Sequence, residues 1–316
     1  MRQANHLMHD LGIIYEHEEW HEPLFSTLQS RGVNFFKFDL KCASFFEDDQ
    51  PQARLYYNMV SPSAYKRGNQ HAIPFAFAFC RHLEVRGVKV LNGSRSMLME
   101  MSKSAQVTLL KKLNIPHPKS FIFNHPKSLR KRQTEIQFPV ILKPEQGGSG
   151  ARMYLANSWD ELEEILISDS KIWWPDHLLL VQEKIDYDPD YGIVRLEYLG
   201  GEFLYAMRVV THDTFNLCPS LTCNPVDGDG TCEIKVTRKP EFYPLETVQA
   251  KIIADGSRIL YEAGHDSGSV EYALDRDGQA VIYDINANSN LREPIAKHFG
   301  IQPFEKIVDF LVKNLG

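Results

Sequence analysis

The sequence predicts an α/β protein that opens with a small parallel unit and continues in two α+β units built around hairpins. Three observations carry this. Over residues 1–95, strand-like apolar runs alternate with helical ones, as in a parallel sheet. Further along, strand-like runs pair across glycine-bearing turns, which marks antiparallel hairpins. One hairpin, Val270–Asn290, carries carboxylates where core residues are expected.

In chain order, Leu11–Tyr15 reads as a buried strand and Pro23–Ser30 as a helix, with Gly32 at its end. Val33–Leu40 and Ala53–Val60 are the next strands. Pro74–Val85 is a helix closed by Gly87, and Val88–Leu91 a short strand. His17, Glu18, Glu19 and Trp20 follow the first strand, so the glycine fingerprint of a dinucleotide-binding unit is absent. Ser94–Leu113 is helical with a break near Ser102, ended by Asn114, Pro116 and Pro118. Phe121–Asn124 is a strand and His125–Gln137 a polar, basic connection. Phe138–Pro144, the loop Glu145–Gly150 and Ala151–Leu155 form strand, glycine-rich turn and returning strand. Ser158–Ile167 is a helix whose Ser158 and Glu161 are spaced as a capping box. Leu178–Ile185 is a buried strand, and Gly192–Leu199 with Phe203–Val210 a hairpin about Gly200-Gly201. Pro244–Gly264 reads as a long helix and Pro303–Leu315 as a closing amphipathic one. There is no internal repeat. The expected units are 1–95, 96–185 and 186–316.

A length of 316 residues suits two or three subdomains, and 43% hydrophobic with 24% charged residues suits ordinary globular cores. The net charge of −6 argues against a generic nucleic-acid surface and leaves room for a local basic pocket. Apolar runs are too short to span a membrane, and Met1–Asp10 lacks a signal-peptide core. A cytoplasmic protein is the expectation. Cysteines at 42, 80, 218, 223 and 232 are odd in number with no CxxC pair, so reduced thiols are expected. Zinc held by Cys218, Cys223, Cys232 and His212 is the alternative, against the usual ligand spacing.

In the Val270–Asn290 hairpin, an Asp277-Gly278 two-residue turn would set Glu271 directly opposite Asp284, with Asn286 on the same face as Asp284. Opposed Cβ atoms lie about 5 Å apart. Two carboxylates there repel by roughly 3 kcal/mol at an effective dielectric near 20. A divalent cation removes the conflict, and two acidic oxygens with an amide oxygen suit Mg²⁺ shared with nucleotide phosphates. A solvent-facing acidic hairpin is the plainer alternative. Lys143 ends an apolar strand just before QGGSG, and a glycine loop beside a lysine can fold over phosphates. It is not a Walker A loop, and glycine hairpin turns are common. Val181-Gln182-Glu183-Lys184 ends a buried strand in polar residues, as a hinge beside a base or any strand reaching the surface would. Arg195 and Arg208 lie on the two arms of one hairpin, and whether they share a face depends on register.

These pieces, in this order, resemble the ATP-grasp superfamily, and most closely its RimK-like carboxylate–amine ligases. The resemblance runs through VLNGSRSMLMEMSKSAQVTLLKKLNIPHPKSFIF, FPVILKPEQGGSG, LLLVQEKI, GIVRLEYLGGEFLYAMR and VEYALDRDGQAVIYDINANSN. YYNMVSP and FCRHLEVRGVKVLN are similar to the preceding domain of that family, so nearly the whole chain is covered. The resemblance implies an ATP-grasp fold, with two α+β subdomains gripping ATP after the N-terminal α/β domain. It implies that Lys103 and Lys143 contact ATP, and that Gly147, Gly148, Ser149 and Gly150 close over its phosphates. Gln182, Glu183, Lys184 and Ile185 would line the adenine hinge. Glu271, Asp284 and Asn286 would hold Mg²⁺, with Mn²⁺ the alternative ion, and Arg208 with Arg195 would be catalytic.

Two departures stand out. Ile193 occupies the place of a common family Asp, and Asp190 is the candidate replacement. NANSNLRE replaces a Pro-Gly turn after the metal Asn, which makes Arg292 a candidate substrate contact. His212 and Asn216 fall where relatives shape the acceptor pocket. The implied reaction joins a small-molecule or peptide carboxylate to an amine through an acyl phosphate. No nucleic-acid or membrane partner is expected, and a homo-oligomer is compatible. An ATP-grasp kinase and a non-catalytic ATP-binding protein are the alternatives.

Overall fold

The computed structural model describes residues 9–147, 152–168, 170–211, 240–288 and 291–316. The first sheet contains β1 (His9–Tyr15), β2 (Phe35–Asp39), β3 (Ala53–Asn58) and β4 (Lys89–Leu91) in the order β2-β1-β3-β4, all parallel. Helix α1 (Glu18–Ser30) begins five residues before the expected Pro23. His17 caps it by accepting the Trp20 N–H, and Glu18 and Glu19 complement the helix dipole. Pro23 therefore lies inside the helix. Helix α2 (Ala72–Val85) likewise starts two residues before Pro74.

The expected break at Ser102 separates α3 (Ser94–Met101) from α4 (Lys103–Lys112). The Ser102 hydroxyl accepts the Ala105 N–H and so restarts the helix as an N-cap. The second sheet is antiparallel, with β5 (Ser120–Phe123), β6 (Val140–Pro144), β7 (Tyr154–Ala156) and β8 (Leu179–Glu183) in the order β5-β8-β6-β7. The connection after β5 contains a short helix, α5 (Pro126–Arg130), and α6 (Trp159–Ser168) follows β7.

The third sheet is also antiparallel. Strands β9 (Ile193–Leu199), β10 (Glu202–Val210), β11 (Glu241–Leu245), β12 (Ser267–Leu274) and β13 (Ala280–Ala287) lie in the order β11-β10-β9-β12-β13. The sequence placed the start of a long helix at Pro244. That residue instead belongs to β11, and α7 runs Ala250–Ala263. Among the described residues strand β11 is an edge, where a proline costs no ladder hydrogen bond on its open side. A short helix α8 (Glu293–His298) and the closing α9 (Pro303–Leu315) complete the chain.

Both hairpins of the third sheet contain a bulge, and both bulges matter for the site. Gly200 and Gly201, at φ +61° and +82°, form the tight two-residue turn between β9 and β10. A bulge between Phe203 and Tyr205 then shifts the register, so Arg195 faces Met207 and Arg208 faces Val194. In the β12–β13 hairpin the turn is one residue longer than expected. Asp275 and Gln279 flank Arg276, Asp277 and Gly278, with Gly278 at φ +76°. Tyr283 is the extra residue of a bulge, which restores the pairing of Glu271 with Asp284.

One core is shared between the first and third sheets. Leu11 and Ile13 of β1 join Leu24 and Leu28 of α1, Val308 and Leu311 of α9, and Tyr205 and Met207 of β10. The other face of the third sheet packs on α7 and α4 through Val194, Leu196, Ile259 and Leu110. Leu109, Leu113 and Ile115, expected within the central unit, thus pack against the third sheet. The second sheet has its own core around Leu142, Leu162 and Leu179. No helix among the described residues is long and apolar enough to cross a membrane.

Candidate functional site

The bulge at Tyr283 organises the site. Ile282 and Ile285 both point into the core beneath α7, which leaves Tyr283 and Asp284 together on the opposite face. There Glu271 lies between Arg195 on β9 and Asp284 on β13, in direct cross-strand register with both. Arg195 donates from Nη1 to Glu271 Oε1 at 3.1 Å and from Nε to Glu197 Oε1 at 2.8 Å. The Tyr283 hydroxyl donates to Glu271 Oε2 at 3.1 Å. Lys103, at the start of α4, forms an ion pair with Asp284 Oδ1. Gln106, one turn further along α4, holds the β13 backbone at Ile285, with Nε2 2.8 Å from its carbonyl oxygen.

Lys143, buried at the end of β6, donates to Gln182 Oε1 on β8 and lies 5.6 Å above the Tyr283 ring. Gln182 in turn donates to Ser120 Oγ at 2.9 Å. A cleft between the second and third sheets runs along Lys103, Val107, His117, Lys143, Leu180 and Ile282. Apolar Val107, Leu110, Pro118, Leu180 and Ile282 share its lining with polar Gln106, His117 and Gln182 and with the two lysines, of which Lys103 reaches Asp284.

Burial dominates the electrostatics. It raises Glu271 above the ordinary carboxylate range, with Arg195 opposing the rise and Asp284 adding to it. Burial lowers Lys143 to about 8. For Lys103 burial acts in the same sense, but the Asp284 carboxylate outweighs it and the ammonium is held above its usual value. Glu100, buried behind Ala287, is pushed up to about 7 by burial, against the hydrogen bond from the Ala287 N–H.

Asn286 faces Ser269 across the hairpin, one step along the same face as Asp284. Among the described residues its Nδ2 is a buried donor without a partner, as are Ser269 Oγ, Glu197 Oε2 and Tyr205 OH as polar atoms. Tyr205, Glu197, Ser269 and Asn286 are successive cross-strand neighbours, so these atoms form one row beside the Arg195–Glu271–Asp284 row. Rotating the Asn286 amide presents its oxygen instead. Two carboxylates and an amide oxygen on adjacent strand positions then fit a hard divalent cation. No cluster of three or more His, Cys, Asp or Glu suited to a metal occurs among the described residues, so this donor set has two carboxylates only.

Other expected residues lie apart. Arg208 shares the face of Val194 and Tyr243, opposite to Arg195, and donates to the Tyr191 carbonyl at 3.1 Å. The bulge before Tyr205 and the strand alternation direct it away from the carboxylate pair. Asp190 is exposed in the turn before β9, and Arg292 stacks over Phe242 at 3.8 Å. Glu183 and Lys184 are exposed and Ile185 is half-buried, so of the hinge residues only Gln182 is a buried side chain at the cleft. Gly147 borders the turn after β6. Gly148, Ser149, Gly150, His212, Asn216, Cys218, Cys223 and Cys232 lie outside the described residues, and the zinc alternative with them.

Sequence reasoning missed Tyr283, Glu197 and Gln106. Gln106 was accessible in principle, being three residues from Lys103 on one helix. Tyr283 was not, because in a regular strand it faces away from Asp284.

Residues 100–217 match the RimK-like ATP-grasp domain. The coenzyme γ-F420-2:α-L-glutamate ligase of Methanocaldococcus jannaschii is 26% identical over 143 residues, which are 44% of this chain and 48% of that protein. The chain thus matches about half the length of that relative. A probable α-L-glutamate ligase of Haemophilus influenzae is 22% identical over 234 residues, covering 74% of this chain and 71% of its own. Among solved structures, the ATP-grasp ligase PsnB with a phosphomimetic precursor variant, Mg and ADP superposes with a TM-score of 0.67 at 18% identity, over 98% of this chain and 100% of that one. The VanG D-Ala:D-Ser ligase of Enterococcus faecalis gives a TM-score of 0.73 at 14% identity, over 98% and 99%. The chain has the ATP-grasp fold and carries a RimK-like ATP-grasp domain over residues 100–217.

Proposed function

We propose that this protein is an ATP-dependent carboxylate–amine ligase that forms an amide through an acyl phosphate and releases ADP and phosphate. A carboxylate oxygen of the first substrate attacks the γ-phosphorus of ATP and ADP leaves. The amine of the second substrate then attacks the acyl carbon and phosphate leaves. A free carboxylate is a poor electrophile, so the first step is what makes the second feasible. The protein's part is positioning and charge neutralisation.

The observation that carries this reading is the Glu271–Asp284 pair, with Lys103 on Asp284, beside a cleft that both Lys103 and Lys143 line. In it, Glu271, Asp284 and Asn286 hold Mg²⁺, which supplies charge neutralisation of the phosphates. Lys143 and Lys103 meet phosphate oxygens, and Gln182 fixes Lys143. Arg195, tied to Glu197, holds Glu271 in place. Arg208, on the far face of the sheet, has no part in this proposal. The protein's units are 1–95, 96–185 and 186–316, with Leu109, Leu113 and Ile115 of the central unit packed on the third sheet. We read it as a cytoplasmic protein with reduced thiols; among the described residues Cys42 and Cys80 are free.

Two curated relatives are named as α-L-glutamate ligases, so L-glutamate is the first amine to assay, against a panel of peptide and small-molecule carboxylates. Hydroxylamine trapping tests the chemistry. A ligase yields a hydroxamate together with ADP, whereas a kinase yields ADP and a stable phosphate ester. Glu271→Ala and Asp284→Ala should each lower Mg-ATP turnover by on the order of 10³-fold, as for loss of a charge-stabilising group. Their circular dichroism should stay that of the parent. Turnover at the parental rate in either variant removes that residue from the metal site.

A further inference from the structure

Three carboxylate oxygens suited to the metal are already engaged, two of them by the protein's own cations, and those cations differ in how firmly they are held. Both oxygens of Glu271 are taken, one by Arg195 and one by Tyr283, and Asp284 Oδ1 is taken by Lys103. Arg195 is locked. Its fork spans two carboxylates, and Glu197, fully buried, keeps its Nε at 2.8 Å. Lys103 is not locked. It is the first residue of α4, with a flexible four-carbon stem, and among the described residues its ammonium hydrogen-bonds, besides Asp284, only to Gln106 Oε1, at 3.5 Å. The same side chain lines the cleft beside Lys143.

We propose that Lys103 is an exchangeable counter-cation of the metal site, which stays on Asp284 until a divalent cation arrives together with phosphate and then passes to the phosphate. This rests on the reading of the site given above and adds an order to it: metal and nucleotide enter together.

The placement of charge supports the exchange. Lys103 and Arg195 already occupy carboxylate oxygens of Asp284, Glu271 and Glu197, and Lys143 lies beside them over the Tyr283 ring. A divalent ion entering alone would add two positive charges to a largely buried cluster that already holds these cations and would meet the Lys103 ammonium at Asp284. An ion entering with a triphosphate brings its own anions, and those anions give the displaced ammonium a new partner. Lys103 therefore couples the two ligands. Such coupling is reciprocal, so nucleotide must strengthen metal binding by the same factor that metal strengthens nucleotide binding.

The test is a titration of the full chain with Mn²⁺, followed by electron paramagnetic resonance, with and without the non-hydrolysable analogue AMPPNP. For the parent protein, AMPPNP should raise Mn²⁺ affinity by on the order of 50-fold, within the usual range of coupling factors. In Lys103→Gln, Mn²⁺ alone should bind about tenfold more tightly than to the parent, AMPPNP should bind more weakly, and the coupling should fall to a few-fold. Lys103→Arg retains the cation and should keep Mn²⁺ alone weakly bound. Equal Mn²⁺ affinity of the parent with and without AMPPNP overturns the proposal without any variant. So does a folded Lys103→Gln protein that binds Mn²⁺ alone no better than the parent. If the parent binds AMPPNP with Mn²⁺ but these differences are missing, the exchange alone is wrong. If it binds no AMPPNP with Mn²⁺ at all, the nucleotide-site reading falls as well.

Discussion

His21 and His265 are buried imidazoles far from the carboxylate cluster, and they set how the fold responds to acid. Burial lowers both to about 3; for His21, His17 and Arg67 add to the effect. His265 Nδ1 lies 2.7 Å from Ser96 Oγ. The unfolded chain protonates each near its ordinary 6.5, whereas the folded chain does not until about 3. Between those values the unfolded state binds more protons, so stability is full above pH 6.5 and falls as pH is lowered. Each histidine contributes a slope of up to about 1.4 kcal/mol per pH unit. His265→Asn keeps a hydrogen-bonding group near Ser96 but cannot titrate. Urea unfolding at pH 7, 6 and 5 should show a pH slope reduced by about one proton relative to the parent. An unchanged slope would mean that His265 is already protonated in the folded protein.

At the level of elements, the β12–β13 hairpin shows what patterning can and cannot reveal. The pairing of Glu271 with Asp284 was legible from the turn signal, yet for a reason only half right. The turn has three residues, and the bulge at Tyr283 compensates for the extra one. Bulges leave no mark in alternation when the inserted residue is amphipathic, as tyrosine is. A bulge also hid the register of Arg195 and Arg208, where the inserted residue is Leu204, half-buried and so tolerated on either face. Pro244 misled because proline reads equally well as a helix start and as an edge-strand residue. The break at Ser102, by contrast, was legible because an N-cap serine is a local signal. The hairpin also yields a sharp expectation. Deleting Tyr283 should leave Tyr272 opposite Ile282 and Glu271 opposite Asp284, since the bulge is all that separates these two pairs. The variant should therefore fold, with strand amide protection retained. It should bind AMPPNP more weakly, by about tenfold, because it loses the ring beneath Lys143 and the hydroxyl on Glu271. Loss of the fold would show that the bulge is needed for the sheet itself.

Across the whole molecule, cohesion depends on which sheets share a core. The first and third sheets bury one continuous apolar cluster between them, while the second sheet closes over its own. Asn92, just past β4 at φ +50°, pins the shared boundary. Its Oδ1 accepts the N–H groups of Asp266 and Ser267, and its Nδ2 donates to Ser267 and to Asn288 Oδ1. Tyr57 and Ser267 meet beside it at 2.7 Å. Native-state hydrogen exchange should then resolve two units. Amides of β1, β3, β9 and β12 should open together at the higher free energy, and those of β5, β6 and β8 separately at a lower one. Asn92→Ala strands several buried polar groups and puts a side chain without a hydrogen-bonding end at positive φ, at a cost of about 3–5 kcal/mol. That loss should appear in β1, β3, β9 and β12 alike and leave β5, β6 and β8 little changed. A loss confined to the first sheet would show that the two sheets unfold independently, in which case the shared cluster is an interface between domains rather than a single core.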